Sequence, residues 1–342
     1  MLSGLNYPWR AYGCDFGEHV WGGHIGASAN VREIQDDFDA IASAGVSVVR
    51  WFMFTDGRGG IRWNDRGEVA GLSPKTFDDV DAVLETAAAT GVRLCLVLFD
   101  YLWLVGRTLT RDDGTPVFRT EPRELATAEG QARVLAHVID PLLARYGRGG
   151  PRADLGLVIH SIDVINEPDW VTRGLALKWR GGPAGARVPR PFRIDELRRL
   201  VRAVADRVHA MTGSLVTVGG GRVRLAPEWD DPAYDLDFVQ LHSYPDRRHP
   251  RRDRWLLGRS SHDLNLSRPI LIGECPGNGD RIHPPDHEPP AFSVSDYVAL
   301  ARDGDYLGAW PWSFKGVDAF GAVDLNEMQD ALATLRAGPR SD

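Results

Sequence analysis

Eight short apolar runs, separated by loops and segments of helical periodicity, constrain this chain more than any other feature. The runs fall at 2–7, 46–52, 92–100, 157–166, 214–218, 236–241, 269–273 and 306–312. Most are continuously apolar rather than alternating, the pattern of strands buried on both faces. Between them apolar residues recur at helical spacing. Val31, Ile34, Phe38 and Ile41 precede Gly45; Phe77, Val80 and Leu84 precede Gly91; Ile194, Leu197, Val201, Val204 and Val208 precede Gly213. Further helices are expected over 121–146, 252–264, 293–303 and 326–337. Asn30 reads as an N-cap with Glu33 completing a capping box, and Ser73-Pro74 as the N-cap and first position of the next helix. Strands alternating with helices build a parallel sheet covered by helices. At 342 residues the (β/α)8 TIM barrel is the best match, as a single domain over 1–342 with long βα loops. An open doubly wound sheet is the alternative, but no glycine-rich phosphate loop follows the first run.

The net charge of −7 is spread along the chain, which argues against a nucleic-acid partner bound through a basic field. The arginine-rich run at 247–252 reads as a solvated loop. No stretch reaches the roughly 18 apolar residues of a membrane span, so no membrane partner is expected. Residues 1–10 lack a signal-peptide pattern. Cys14, Cys95 and Cys275 are far apart and form no CxxC pair, as expected of reduced thiols rather than a disulfide framework or zinc site. A cytoplasmic protein is expected, or a secreted one if a leader has been removed. His283 and His287 have a spacing a metal can use, but Pro284, Pro285, Pro289 and Pro290 exclude the regular helix that makes it work. No metal and no cofactor are expected.

In a barrel the chemistry sits where the strands end. Arg50 lies on the second run, Asp100 and Trp103 at and just beyond the end of the third, and Asn166 and Glu167 at the end of the fourth. His242 and Tyr244 follow the sixth run, Glu274 the seventh, and Trp310 and Trp312 close the eighth. Glu167 and Glu274 would converge on one cavity. Two acids there can be tuned to different pKa values, which is what glycoside hydrolysis requires: one protonates the leaving oxygen, the other attacks the anomeric carbon.

The pieces Val49-Arg50-Trp51-Phe52, Ile165-Asn166-Glu167-Pro168, Leu241-His242-Ser243-Tyr244, Ile272-Gly273-Glu274 and Pro311-Trp312-Ser313-Phe314 resemble clan A of the glycoside hydrolases, most of all the cellulase/mannanase-like family 5. The resemblance spans nearly the whole chain. It implies a retaining β-glycosidase acting on gluco- or manno-type oligosaccharides, with Glu167 as acid/base and Glu274 as nucleophile. Asn166 would bind the sugar 2-hydroxyl, and His242 a sugar-site position. Arg50 would hold Glu274 ionised and lower its pKa, Tyr244 would orient Glu274, and Trp312 would floor the cleaved subsite. Trp310, Trp103 and Asp100 are further candidates for substrate contact, with barrel packing the competing role for Trp310 and helix capping for Asp100, Asp15 and Asp56. Trp9, Trp21, Trp51 and Trp170 lie near the same face. The alternative function is a catalytically weak glycan-binding barrel, which typically lacks one of the two acids. A metal-dependent hydrolase is disfavoured because no HxH pair marks the first strand. Glycone identity, exo or endo action, substrate length and oligomeric state stay open.

Overall fold

A computed structural model describes residues 1–175, 190–245, 253–277, 291–316, 318 and 321–336. Eight strands form one parallel sheet in chain order: β1 (Gly4–Asn6), β2 (Val48–Phe52), β3 (Arg93–Asp100), β4 (Ile159–Asn166), β5 (Leu215–Gly220), β6 (Val239–His242), β7 (Ile270–Pro276) and β8 (Ala309–Trp312). The ends of the sheet meet. Leu2 N–H donates to Leu307 O, Phe314 N–H to Asn6 O at 2.9 Å, and Asn6 Nδ2 to Trp310 O at 3.0 Å. The fold is a (β/α)8 barrel.

The barrel interior is layered, because side chains two apart on a strand share a face. Val48, Cys95, Phe238, Leu271 and Trp310 form a buried apolar plug. Above it, Asn6, Arg50, Asp163 and Gln240 form a polar layer with no solvent exposure. Phe52, Val97 and Trp312 lie above that, with Trp9 and Tyr244 packed against them. The outer helices turn their apolar faces to the sheet. Val31–Ser43 buries Ile34, Phe38 and Ile41, and Ile194–Met211 buries Leu197, Leu200, Val201, Val204 and Val208.

Several local expectations fail. Asn30 is the N-cap of its helix, but it makes no side-chain cap bond and no capping box with Glu33; its Nδ2 donates backwards to Gly26 O at 2.8 Å. The second helix starts at Thr76, behind a left-handed Lys75, rather than at Pro74. The single helix expected over 121–146 is a turn at Arg123–Ala126 followed by Ala128–Val134, a five-residue π segment at Leu135–Ile139 and Asp140–Tyr146. Thr127 breaks the run, adopting extended backbone and accepting Gly130 N–H. In the described part of 252–264 there are turns and one 3-10 turn, His262–Leu264; Gly258 takes a φ of 77° that a helix cannot hold. The long loops carry two hairpins that were not anticipated, Ile61–Trp63 with Val69–Leu72 and Thr108–Thr110 with Pro116–Arg119. The run at 247–252 and the pair His283 and His287 lie outside the described residues. Among the described residues, no helix is long and apolar enough to cross a membrane.

Candidate active site

A cavity of about 750 Å³ opens at the C-terminal ends of the strands. Asp100, Asn166, Glu167, His242, Tyr244, Glu274 and Trp312 all line it. Its centre is organised by Arg50, which is fully buried in the layer below. Arg50 Nη1 donates to Glu274 Oε1 at 2.6 Å and Asn6 Oδ1 at 3.0 Å. Its Nη2 donates to Asp163 Oδ2 at 2.8 Å and Asn166 Oδ1 at 2.7 Å, and Nε reaches Asp163 Oδ2 at 3.1 Å. The planar guanidinium fork thus ties β1, β2, β4 and β7 together, which a lysine cannot do. Asn166 is held at both ends, since its Nδ2 donates to Asp100 Oδ2 at 2.9 Å. Burial raises the Asp100 carboxyl to about 7, against the pull of the Leu102 N–H and the Asn166 amide.

Glu167 takes a left-handed backbone at the end of β4, φ 49°, secured by its N–H to Gly219 O at 2.7 Å. Its Oε1 lies 2.9 Å from His242 Nδ1 and its Oε2 accepts Trp170 Nε1–H at 2.9 Å. Glu274 Oε2 accepts Tyr244 Oη–H at 2.8 Å and lies 3.4 Å from His242 Nδ1. Burial raises Glu167 to about 7, aided by the charge of Asp169 and opposed by the Trp170 hydrogen bond. Burial also raises Glu274, and the His242 and Arg50 side chains pull it back only in part. Arg50 does pull the Glu274 pKa down, as expected, but desolvation outweighs it and the net shift is upward. Arg50 already neutralises Asp163, and desolvation outweighs what remains. Burial holds His242 down at about 4, so the ring is uncharged near neutral pH. Oxygens of Glu167 and Glu274 and a nitrogen of His242 lie within 4.8 Å of one another. Glu274 Oε1 and Oε2 and Glu167 Oε2 each accept an N–H or O–H, and Glu167 Oε1 is within hydrogen-bond distance of His242 Nδ1.

No family model matches the chain. A mannan endo-1,4-beta-mannosidase of Cryptopygus antarcticus is 28% identical over 102 residues, 29% of this chain and 25% of that protein's length. The match therefore spans about a quarter of that relative. Among solved structures, the β-1,4-mannanase of the sea hare Aplysia kurodai superposes with a TM-score of 0.73 at 18% identity, covering 99% of this chain and 93% of that one. The endo-1,4-β-mannanase of Eisenia fetida gives 0.72 at 20% identity, covering 100% and 91%. The chain has the fold of these mannanases. A more distant likeness is the endoglucanase Cel5A of Pseudomonas stutzeri, with a TM-score of 0.51 at 16% identity over 87% of this chain and 85% of that one.

Two expected site residues lie away from this mannanase-fold cavity. Trp310 points into the barrel two positions below Trp312, in the apolar plug, and a Cβ on Gly4 would come within 2.3 Å of its indole. Trp103 is fully buried, stacked near Trp63 and Phe99 with its Nε1 on Glu121 O; it turns away on the short helix Leu102–Val105. Trp51 packs with Tyr7 outside the barrel and donates to Asp15, while Asp56 pairs with Arg58. These two acids are structural. Trp9 and Trp170 do line the cavity.

Sequence reasoning missed Asp163, Gln240 and the support beneath Trp170. Asp169 accepts Arg222 Nε–H at 2.8 Å, and the Arg222 guanidinium stacks 4.7 Å from the Trp170 ring. This holds the indole that donates to Glu167. Two signals were available: an aspartate inside a buried strand needs a cation, and three consecutive glycines end β5. A Cβ on Gly219 would come within 3.0 Å of His242 Nε2, Arg50 Nη2 and Asp163 Oδ2.

Proposed function

We propose that the chain is a retaining β-glycoside hydrolase of the gluco/manno type, working by double displacement with Glu167 as acid/base and Glu274 as nucleophile. The observation carrying this reading is the pair of glutamates whose nearest oxygens lie within 4.8 Å at the floor of the cavity. Retaining enzymes hold their carboxyls about 5 Å apart, whereas inverting enzymes leave roughly 6.5–9.5 Å for a water.

In the first step a Glu274 oxygen bonds to the anomeric carbon as the glycosidic C–O bond breaks. The proton on Glu167 passes to the leaving oxygen, and the aglycone departs as an alcohol. In the second step water attacks the same carbon, its proton returns to Glu167, and the bond to Glu274 breaks. A Glu167 pKa of about 7 supports the first role, because the acid is protonated near neutral pH yet becomes an effective base. Arg50 and Tyr244, each donating to Glu274, oppose its desolvation and support the attacking carboxylate. Asn166, with one amide hydrogen left after Asp100, would bind the 2-hydroxyl, and Trp312 and Trp9 supply faces for the sugar's CH groups. This chemistry requires no cofactor or metal.

The names of the relatives make β-1,4-mannan fragments the first substrates to try. A panel of aryl β-glycosides and β-linked manno- and gluco-oligosaccharides, tested on the unmodified protein and on Glu274→Gln, decides the reading. Turnover that the variant loses is the expected result. A variant that keeps turnover overturns the nucleophile assignment, and no turnover of any substrate favours a glycan-binding barrel.

A further inference from the structure

Gln240 stands two residues before His242 on β6, inside the barrel and without solvent exposure. Its Nε2 donates to Asp163 Oδ2 at 2.8 Å. That contact sets the amide, because a carboxylate only accepts and cannot face the carbonyl oxygen. The same nitrogen lies 3.4 Å from His242 Nε2. An amide nitrogen has no acceptor capacity, so a proton on His242 Nε2 would face donor against donor. Nε2 is therefore the accepting nitrogen, and the ring's single N–H is on Nδ1, 2.9 Å from Glu167 Oε1 and 3.4 Å from Glu274 Oε2.

The other end of Gln240 is informative too. Its Oε1 is buried and has no hydrogen-bond partner among the described residues, a loss that an apolar side chain of similar size would avoid. Packing alone does not explain a glutamine at this position, whereas a use for its N–H groups does.

We propose that Gln240, clamped by Asp163, is a positioning residue that keeps His242 a neutral Nδ1–H donor shared between Glu167 and Glu274. The proposal rests on the catalytic roles given above. Five charged groups act on the ring. Asp163 from β4, Glu167 and Asp169 from the segment after it, and Glu274 from β7 favour an imidazolium, and Arg50 from β2 opposes it. Burial and the donor N–H at Nε2 act with Arg50. The distinction matters because an imidazolium touching both glutamates would hold both ionised and deprive Glu167 of the proton it delivers. A neutral ring keeps its N–H throughout. It is shared in the resting site, and passes wholly to Glu167 once the charge on Glu274 is consumed in the glycosyl ester.

The test is ¹⁵N NMR of the ring nitrogens in the whole histidine-labelled protein, with His242 assigned among ten histidines by difference from His242→Gln. The unmodified protein should show His242 as the neutral Nδ1–H tautomer between about pH 5 and 8. In Gln240→Met the N–H facing Nε2 is lost, so the ring should take up a proton at higher pH than in the unmodified protein, and the partly charged ring beside Glu167 should draw the alkaline limb of kcat/KM down. A glutamine that merely packs would alter the melting temperature and move neither readout. An imidazolium or an Nε2–H tautomer in the unmodified protein overturns the proposal, as does a Gln240→Met protein whose ring titrates as in the unmodified one. If that variant does not fold, the unmodified spectrum alone decides. If no glycoside is turned over, the functional reading fails while the spectrum still reports the tautomer.

Discussion

Replacing Glu167 by glutamine should make the protein more stable at alkaline pH and less stable in acid. Burial raises the carboxyl from 4.5 to about 7. A group raised in this way contributes stability that is fully present below its unfolded value and lost as pH rises through its folded value. At 1.36 kcal/mol per pH unit, the wild type loses about 3 kcal/mol between pH 4 and 8 that a glutamine does not lose. A second effect opposes this at every pH. Both Glu167 oxygens accept N–H donors, from His242 and Trp170, and an amide has one oxygen, so its NH2 must face one of those donors at a cost of about 1 kcal/mol. The variant is then about 1 kcal/mol less stable at pH 4 and about 2 kcal/mol more stable at pH 8. An unfolding entropy of about 2.1 cal/mol/K per residue over 342 residues converts these to a Tm about 1 °C lower and about 3 °C higher. Differential scanning calorimetry of both proteins in matched buffers from pH 4 to 8 measures the difference. Curves that run parallel, without crossing, would refute the claim that burial of this carboxyl governs its charge.

Arg50→Met leaves Asp163 and Glu274 buried without their cation and should cost about 3–5 kcal/mol, roughly 4–7 °C in Tm. The loss should narrow as pH falls and protons replace the missing charge; a melt within a degree of wild type at pH 8 would contradict the reading. Trp170→Phe removes the 2.9 Å N–H donor to Glu167, one of the groups that lowers its pKa. The alkaline limb of kcat/KM on an aryl β-glycoside should therefore move up by a few tenths of a pH unit, and a downward shift would exclude the assigned role of the indole.

The barrel strands were legible because a strand buried on both faces needs a continuous apolar run, which a single chain displays without its neighbours. Glu167 and Glu274 were legible for a related reason: each ends such a run with a group that is costly to desolvate. Trp310 and Trp103 misled because position near a strand end does not specify which way a ring turns. Trp310 shares its face with Trp312 but sits in the plug beneath the polar layer, and Trp103 follows a short helix away from the cavity. Asp163 and Gln240 were passed over since their partners are remote: Asp163 meets Arg50 across 113 residues and Gln240 across 77. The net upward shift of Glu274 was not legible because a neighbouring arginine can be inferred from a motif, whereas the extent of burial and the competing claim of Asp163 on that arginine cannot.

By itself the sequence determined the period of the apolar pattern, hence a parallel barrel, and the chemistry of the side chains at its strand ends. Those properties are local, carried by residues a few positions apart. The tertiary structure alone decided which of these side chains meet, that the two glutamates approach within 4.8 Å, and which protons they hold. Charge state in a buried site depends on desolvation and on every charge nearby, and here those charges come from strands far apart in the chain and adjacent only once the barrel has closed.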